Sequence, residues 1–150
     1  MNIKTKFPPP LVALTFGFLI NYTKNIFPKI EIGWGDVFGF IIIIFGIIII
    51  LSAIILFKKY KTTITPLKPY NASKLIVSGV YKFSRNPMYL GLLLILSGIS
   101  TILNPIGGLF LIPLFILYLN FFQIIPEENA MINLFKDEFL EYKENVRRWI

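Results

Sequence analysis

The chain has 150 residues, 55% of them hydrophobic, with a mean hydropathy of +0.71. That length holds one domain, and so apolar a composition excludes both an ordinary soluble globule and a disordered chain. Lys and Arg number 15 against 8 Asp and Glu, a net charge of +7, yet they leave two long stretches vacant. This is the charge distribution of a membrane protein rather than of a nucleic-acid binder. With no Cys and no His there is no disulfide framework, thiol nucleophile, imidazole base or zinc-finger-type site. Any chemistry runs on carboxylates, Arg, Lys, Tyr and backbone groups, and no metal is expected.

Residues 1–6 are weakly basic and the apolar run behind them lacks a small-residue cleavage site, so a cleaved signal peptide is not expected. Pro8-Pro9-Pro10 opens a first apolar segment near residues 8–24, short for a span and carrying Asn21, so a crossing helix and an interfacial one both remain open. Residues 37–57 are 21 uncharged positions rich in Ile. At 1.5 Å per residue they match a hydrocarbon core of roughly 30 Å. Residues 86–126 are 41 uncharged positions, about twice one span, interrupted by Asn104-Pro105 and Gly107-Gly108. The pattern predicts a hairpin of helices over 88–103 and 105–125.

Behind the hairpin, Met131, Ile132, Phe135, Phe139, Tyr142, Val146 and Trp149 recur at steps of three and four, so they form one face of an amphipathic helix. Lys136, Asp137, Glu141, Glu144 and Arg147 point elsewhere. On a helical wheel Glu128 falls at the centre of the apolar face and Glu127 at its edge. The expected fold is therefore all-α: one polytopic integral membrane domain over residues 1–150, with about four transmembrane helices plus a C-terminal amphipathic helix. Lys58, Lys59, Lys61, Lys68, Lys74, Lys82 and Arg85 lie between the second and third helices with no acid among them, which places that loop, and with four crossings both termini, in the cytoplasm. On that side the Asn71-Ala72-Ser73 sequon has no meaning. Gly35-x3-Gly39 resembles a helix-packing motif, though the spacing alone sets no oligomeric state.

Three segments carry composition beyond lipid filler. In residues 62–76, Pro66 and Pro69 keep the chain out of a regular helix beside the bilayer, which suits either a cavity wall or an exposed basic loop among phosphates. In residues 78–91, Ser78-Gly79 marks a turn and Asn86-Pro87 starts a helix whose free N–H groups favour an anionic group, with Arg85 alongside. Arg85 equally suits an interfacial anchor, and Tyr81 and Tyr89 an aromatic belt. At Glu127-Glu128, adjacent carboxylates either complement a helix start or, if turned inward, call for a cationic partner.

In order, Leu75-Ile76-Val77-Ser78-Gly79-Val80-Tyr81, Arg85-Asn86-Pro87-Met88-Tyr89-Leu90-Gly91, Asn104-Pro105, Glu127-Glu128 and Phe139-Leu140-Glu141-Tyr142-Lys143 resemble the isoprenylcysteine carboxyl methyltransferase and phospholipid methyltransferase superfamily of integral membrane enzymes. The resemblance covers about residues 62–150. It implies an S-adenosylmethionine site without a Rossmann fold, at the cytoplasmic face, built from residues 62–91 and 123–150. Position by position, it implies cofactor contacts from Ser73, Lys74, Leu75, Ile76 and Tyr81, from Asn86, Pro87, Met88 and Tyr89 in its Arg-His-Pro-x-Tyr segment, and from Glu127, with Glu128 completing the acidic pair. Arg85 and Gln123 are the residues expected at the reacting groups.

Two departures bear on chemistry. The motif histidine is Asn86, which hydrogen-bonds but does not titrate. Gln123 stands where the prenylcysteine enzymes have an arginine implicated with the substrate carboxylate, which favours an amine or another neutral lipophilic nucleophile. The resemblance implies S-adenosylmethionine-dependent methyl transfer to a lipophilic substrate taken from the bilayer: an isoprenylcysteine-type carboxylate, a phospholipid amine or another lipid nucleophile. The partners expected are that substrate and membrane lipids. Two rival readings remain: an NADPH-dependent membrane reductase of the sterol reductase type, and a non-enzymatic membrane protein with a degenerate site.

Overall fold

The computed structural model describes residues 7–28, 30, 33–61 and 73–150, and these are all-helical. Pro66, Pro69, Lys68 and the sequon residues Asn71 and Ala72 lie outside the described residues. Helix α1 is Pro9–Tyr22, continued by a 3-10 turn over Thr23–Asn25. Helix α2 is Gly35–Tyr60, α3 is Pro87–Leu103 and α4 is Pro105–Leu119. A proline opens α1, α3 and α4 within their first two positions, where its missing N–H costs no hydrogen bond and its fixed φ already fits the helix. The α3–α4 break falls at Asn104, as expected. Fully buried, Asn104 accepts from the Gly107 N–H at 2.9 Å and donates to the Phe27 carbonyl at 3.2 Å, so this buried polar side chain leaves little unsatisfied.

At 26 residues, about 39 Å long, α2 is long and apolar enough to cross a bilayer. So is the stretch Pro105–Phe135, whereas α3 is a shorter apolar helix and α1 has 14 residues. The expected end of the last membrane helix at residue 125 is not observed. The chain runs on through a π-helical turn, Asn120–Ile124, into α5, Ile125–Phe135. Pro126 explains the turn. Its ring would press on the carbonyl four residues back, and the wider turn makes room without stopping the helix.

The single C-terminal helix is also corrected. It breaks at Lys136, whose φ of 46° lies in the left-handed region, and resumes as α6, Asp137–Asn145. The seven residues assigned to the apolar face are nonetheless buried or half-buried, and the five polar ones are exposed.

Helices α2 and α3 pack antiparallel through glycines seven apart on each. Gly39 lies against Gly98 and Ile102, and Gly46 against Gly91 and Ile95. Gly39 of the Gly35-x3-Gly39 pair is therefore used in packing within the chain. A Cβ on Gly46 would stand 2.7 Å from the Gly91 carbonyl oxygen, and neither backbone can yield. Gly46→Ala should lower the melting temperature although alanine is the better helix former by about 1 kcal/mol. Gly17→Ala in α1, with nothing within 4 Å of its Cβ, should not. Thermal melts of the two variants in one detergent check the contrast.

Candidate functional site

The 3-10 turn Gly79–Lys82 and the start of α3 form one wall of a cavity of about 330 Å³, with α5 and α6 opposite and α2 at the side. Gly79 makes the turn possible: its φ is +60°, and a side chain there would also meet Leu56. Of the residues expected at the cofactor, all but Ser73 line this cavity, and Arg85 lines it too. Pro9, Pro10, Ile50, Phe57, Leu92, Met131, Phe139 and Tyr142 complete the wall. Five of its residues are aromatic, Tyr89 and two pairs: Phe57 meets Tyr81 edge-on at 5.8 Å, and Phe139 meets Tyr142 at 6.1 Å.

The adjacent acids do different things. Glu127 accepts a short hydrogen bond from the Tyr89 hydroxyl on Oε1 and keeps surface toward the cavity, among apolar neighbours. Glu128 is buried and bridges two guanidinium groups: Arg85 Nη2 at 2.8 Å, and Arg148 Nη2 and Nε at 2.7 and 3.1 Å. Both Glu128 oxygens are thus engaged, which answers the wheel's inward placement with the cationic partners it demanded.

Arg85 is equally committed. Its Nη1 donates to the Lys143 and Val146 carbonyls at 3.0 and 2.6 Å, which leaves Nε as its one buried nitrogen without a partner. The geometry makes Arg85 a tie between the start of α3, α5 and the C-terminal segment rather than an open anion receptor. Tyr142 adds a second tie, donating its hydroxyl to the Tyr81 carbonyl at 2.6 Å. Burial holds the Tyr142 phenol above its ordinary pKa, against an opposing pull from Arg85, and burial likewise raises Tyr81. Both stay protonated donors throughout the physiological range.

Gln123 is placed away from this cavity. It is fully buried in the π turn and donates to the Phe7 carbonyl at 2.7 Å, with its own carbonyl oxygen unpartnered. The expectation that it faces the reacting groups came from the arginine that stands at this position in the prenylcysteine enzymes, whereas here the side chain is taken up by the Phe7 carbonyl. Gln123 anchors the chain just ahead of Pro9 and Pro10, two residues of the wall. Arg148 and Tyr142 are partners that the sequence did not single out as site residues. Tyr142 lay on the predicted apolar face, whereas Arg148 carried no signal, since its pairing depends on a fold-back beyond α6.

A second cavity of about 630 Å³ lies between α1 and α3, lined by apolar side chains with Asn21 the one polar residue among them. Pro10 and Leu92 line both cavities, so the two are neighbours.

The phospholipid methyltransferase family matches residues 34–138, well over half of the chain. The chain belongs to this family. It is similar to protein-S-isoprenylcysteine O-methyltransferases of Xenopus laevis (29% identical over 91% of this chain and 48% of that protein) and Homo sapiens (30%, over 90% and 48%). Protein-S-isoprenylcysteine O-methyltransferase A of Arabidopsis thaliana is 32% identical over 85% of this chain and 66% of its own length. The chain thus spans about half the length of the vertebrate relatives it matches. No solved structure matches it. Glu127, Tyr89 and the aromatic wall lie within or beside the family match, which covers both sides of the cavity but ends before Tyr142 and Arg148.

Proposed function

We propose that the protein is a membrane methyltransferase that binds S-adenosylmethionine in the cavity between the start of α3 and helices α5 and α6, and methylates a lipophilic substrate drawn from the bilayer. The observation that carries this reading is Glu127: a carboxylate at the cavity wall with one oxygen held by Tyr89 and the other left to a ligand, facing aromatic side chains. That donor set fits the group. The carboxylate suits an ammonium or ribose hydroxyls, and Phe57, Tyr81, Phe139 and Tyr142 suit an adenine ring.

S-adenosylmethionine, when bound, supplies a methyl group on a sulfonium whose leaving group is neutral. Little acid–base help is then needed, so the lack of His is no obstacle, and positioning with exclusion of water is what the chain contributes. Glu127 and Tyr89 orient the polar part of the ligand. Glu128 and Arg85 keep the start of α3 and α5 in register, and the apolar wall keeps water out.

The α1–α3 cavity supports the lipophilic half of the proposal: it is apolar and sits against the first at Pro10 and Leu92, so a hydrocarbon chain lying there would bring its head group to the site. The relatives named above act on isoprenylcysteine by their names. Gln123 lies away from the cavity in this fold and does not set the nucleophile, so the class we assign is a lipophilic nucleophile of the bilayer. The same proposal has four crossings, with both termini and the Lys58–Arg85 side in the cytoplasm.

The deciding experiment is thermal stabilisation of the purified protein in detergent. S-adenosylhomocysteine at a hundredfold excess over its dissociation constant should add about 2.7 kcal/mol of stability, and lipid extracts should then take up labelled methyl. Stabilisation by NADPH and not by S-adenosylhomocysteine would make the protein a reductase instead, and stabilisation by neither would leave a site without an enzyme. Tags at the two ends reached from opposite faces would overturn the topology.

A further inference from the structure

Residues 146–149 follow α6 and fold back alongside residues 84–86. Val146 is extended, and the residues that follow it meet residues far away in sequence. The Arg85 N–H donates to the Arg147 carbonyl at 3.0 Å, and Asn86 Nδ2 donates to the Arg148 carbonyl at 3.0 Å. The Arg148 side chain reaches Glu128, and Trp149 Nε1 donates to Asn120 Oδ1 in the π turn at 3.3 Å. The segment therefore touches the start of α3, α5 and the π turn at once, under the cavity floor.

One consequence concerns Asn86. A backbone carbonyl only accepts, so the amide must turn its nitrogen toward Arg148. Its oxygen is what remains, and this oxygen is not among the buried atoms without a partner. The open space beside Asn86 is the cavity it lines.

We infer that residues 147–149 are a positioning latch: they set the Asn86 amide with its acceptor oxygen toward the cavity, and through Arg148 they hold Glu128 against Arg85. The cavity then presents two acceptors from different helices, Asn86 Oδ1 and the free oxygen of Glu127, and selects a ligand group that carries N–H or O–H. Arg148 is a positioning residue, since it touches no ligand. The inference rests on the reading that this cavity holds S-adenosylmethionine.

The test uses a Trp34→Phe background, which leaves Trp149 as the sole tryptophan of the two in the chain. Trp149 packs against the main hydrophobic cluster, so its fluorescence should be poorly quenched by acrylamide. Arg148→Ala leaves Glu128 paired with Arg85 and should fold with little change in melting temperature. It should expose Trp149 to quencher and weaken S-adenosylhomocysteine binding roughly tenfold, the lower end for losing a charge-assisted hydrogen bond. Arg148→Lys keeps the charge and should restore both readings in large part. By linkage, the ligand should in turn lower the quenching in Arg148→Ala.

Exposure of Trp149 with unchanged ligand affinity would make the segment a structural strap and overturn the inference, and so would a Trp149 that stays protected in Arg148→Ala. Failure of the unsubstituted protein to bind S-adenosylhomocysteine would overturn the functional reading and the ligand half of this inference together. It is told apart from failure of the latch by the quenching, which needs no ligand.

Discussion

Replacing Glu127 by Gln should weaken S-adenosylhomocysteine binding by roughly 1.5–3 kcal/mol, the range for a hydrogen bond to a charged group, or about ten- to a hundredfold in affinity. The substitution keeps the shape of the side chain and an oxygen able to accept from Tyr89, so the fold should survive. What it removes is the charge that an ammonium or a pair of ribose hydroxyls would meet at the cavity wall. Titration calorimetry against the parent protein measures the loss. Unchanged affinity would mean that the carboxylate is no more than a helix-start residue complementing the dipole of α5, and the functional proposal would lose the observation that carries it.

Replacing Glu128 by Ala should instead act on stability, by about 3–5 kcal/mol, the usual loss when one member of a buried ion pair is removed. The side chains of Glu128 and Arg85 are each 8% exposed, so without its carboxylate the Arg85 guanidinium stays buried with carbonyl partners and no counter-charge. Arg148, whose side chain is a third exposed, can turn to water, and its share of the loss is small. Arg85→Met in the Glu128→Ala background should recover part of the deficit, because removing both partners restores an apolar interior. Denaturation of the two variants in one detergent decides it: equal loss in both would place the defect in packing rather than in an unpaired charge. Together the substitutions separate two adjacent acids into a ligand-facing one and a load-carrying one.

The acidic pair also measures how much of the site could be read in advance. The ordered motifs point to Glu127, while the wheel turns Glu128 inward, so the two arguments select different residues. Both acids line the cavity, but Glu128 is buried with both oxygens on two arginines, while Glu127 is bonded to Tyr89 with an oxygen to spare. A motif selects residues by the chemistry a ligand needs, whereas a wheel selects them by which side of a helix faces protein, and neither criterion contains the other.

Gln123 failed for a different reason. Its placement was carried over from an arginine of the prenylcysteine enzymes, and here the residue lies in the π turn over Asn120–Ile124 and bonds the Phe7 carbonyl instead. Nothing in the residues themselves announces a π turn, although Pro126 two residues beyond it is the physical cause.

By itself the sequence determined what depends on one segment at a time. Charge-free length set the helices α2, α3 and α4 to within a few residues at most ends, since burying a charge in hydrocarbon is costly wherever it occurs. Asn104-Pro105 and Ser78-Gly79 set the breaks, because proline and a positive φ restrict the backbone locally. The inward and outward sides beyond Glu127 also followed from periodicity, even though the helix there is interrupted at Lys136. Only the tertiary structure decided what depends on two segments meeting. The glycines of α2 and α3 are complementary because they lie opposite one another, a register that no single helix encodes. Arg148 reaches Glu128 because residues 146–149 fold back beside residues 84–86, and that return is held by one backbone bond and by the Asn86 and Arg148 side chains, whose partners lie far away in sequence.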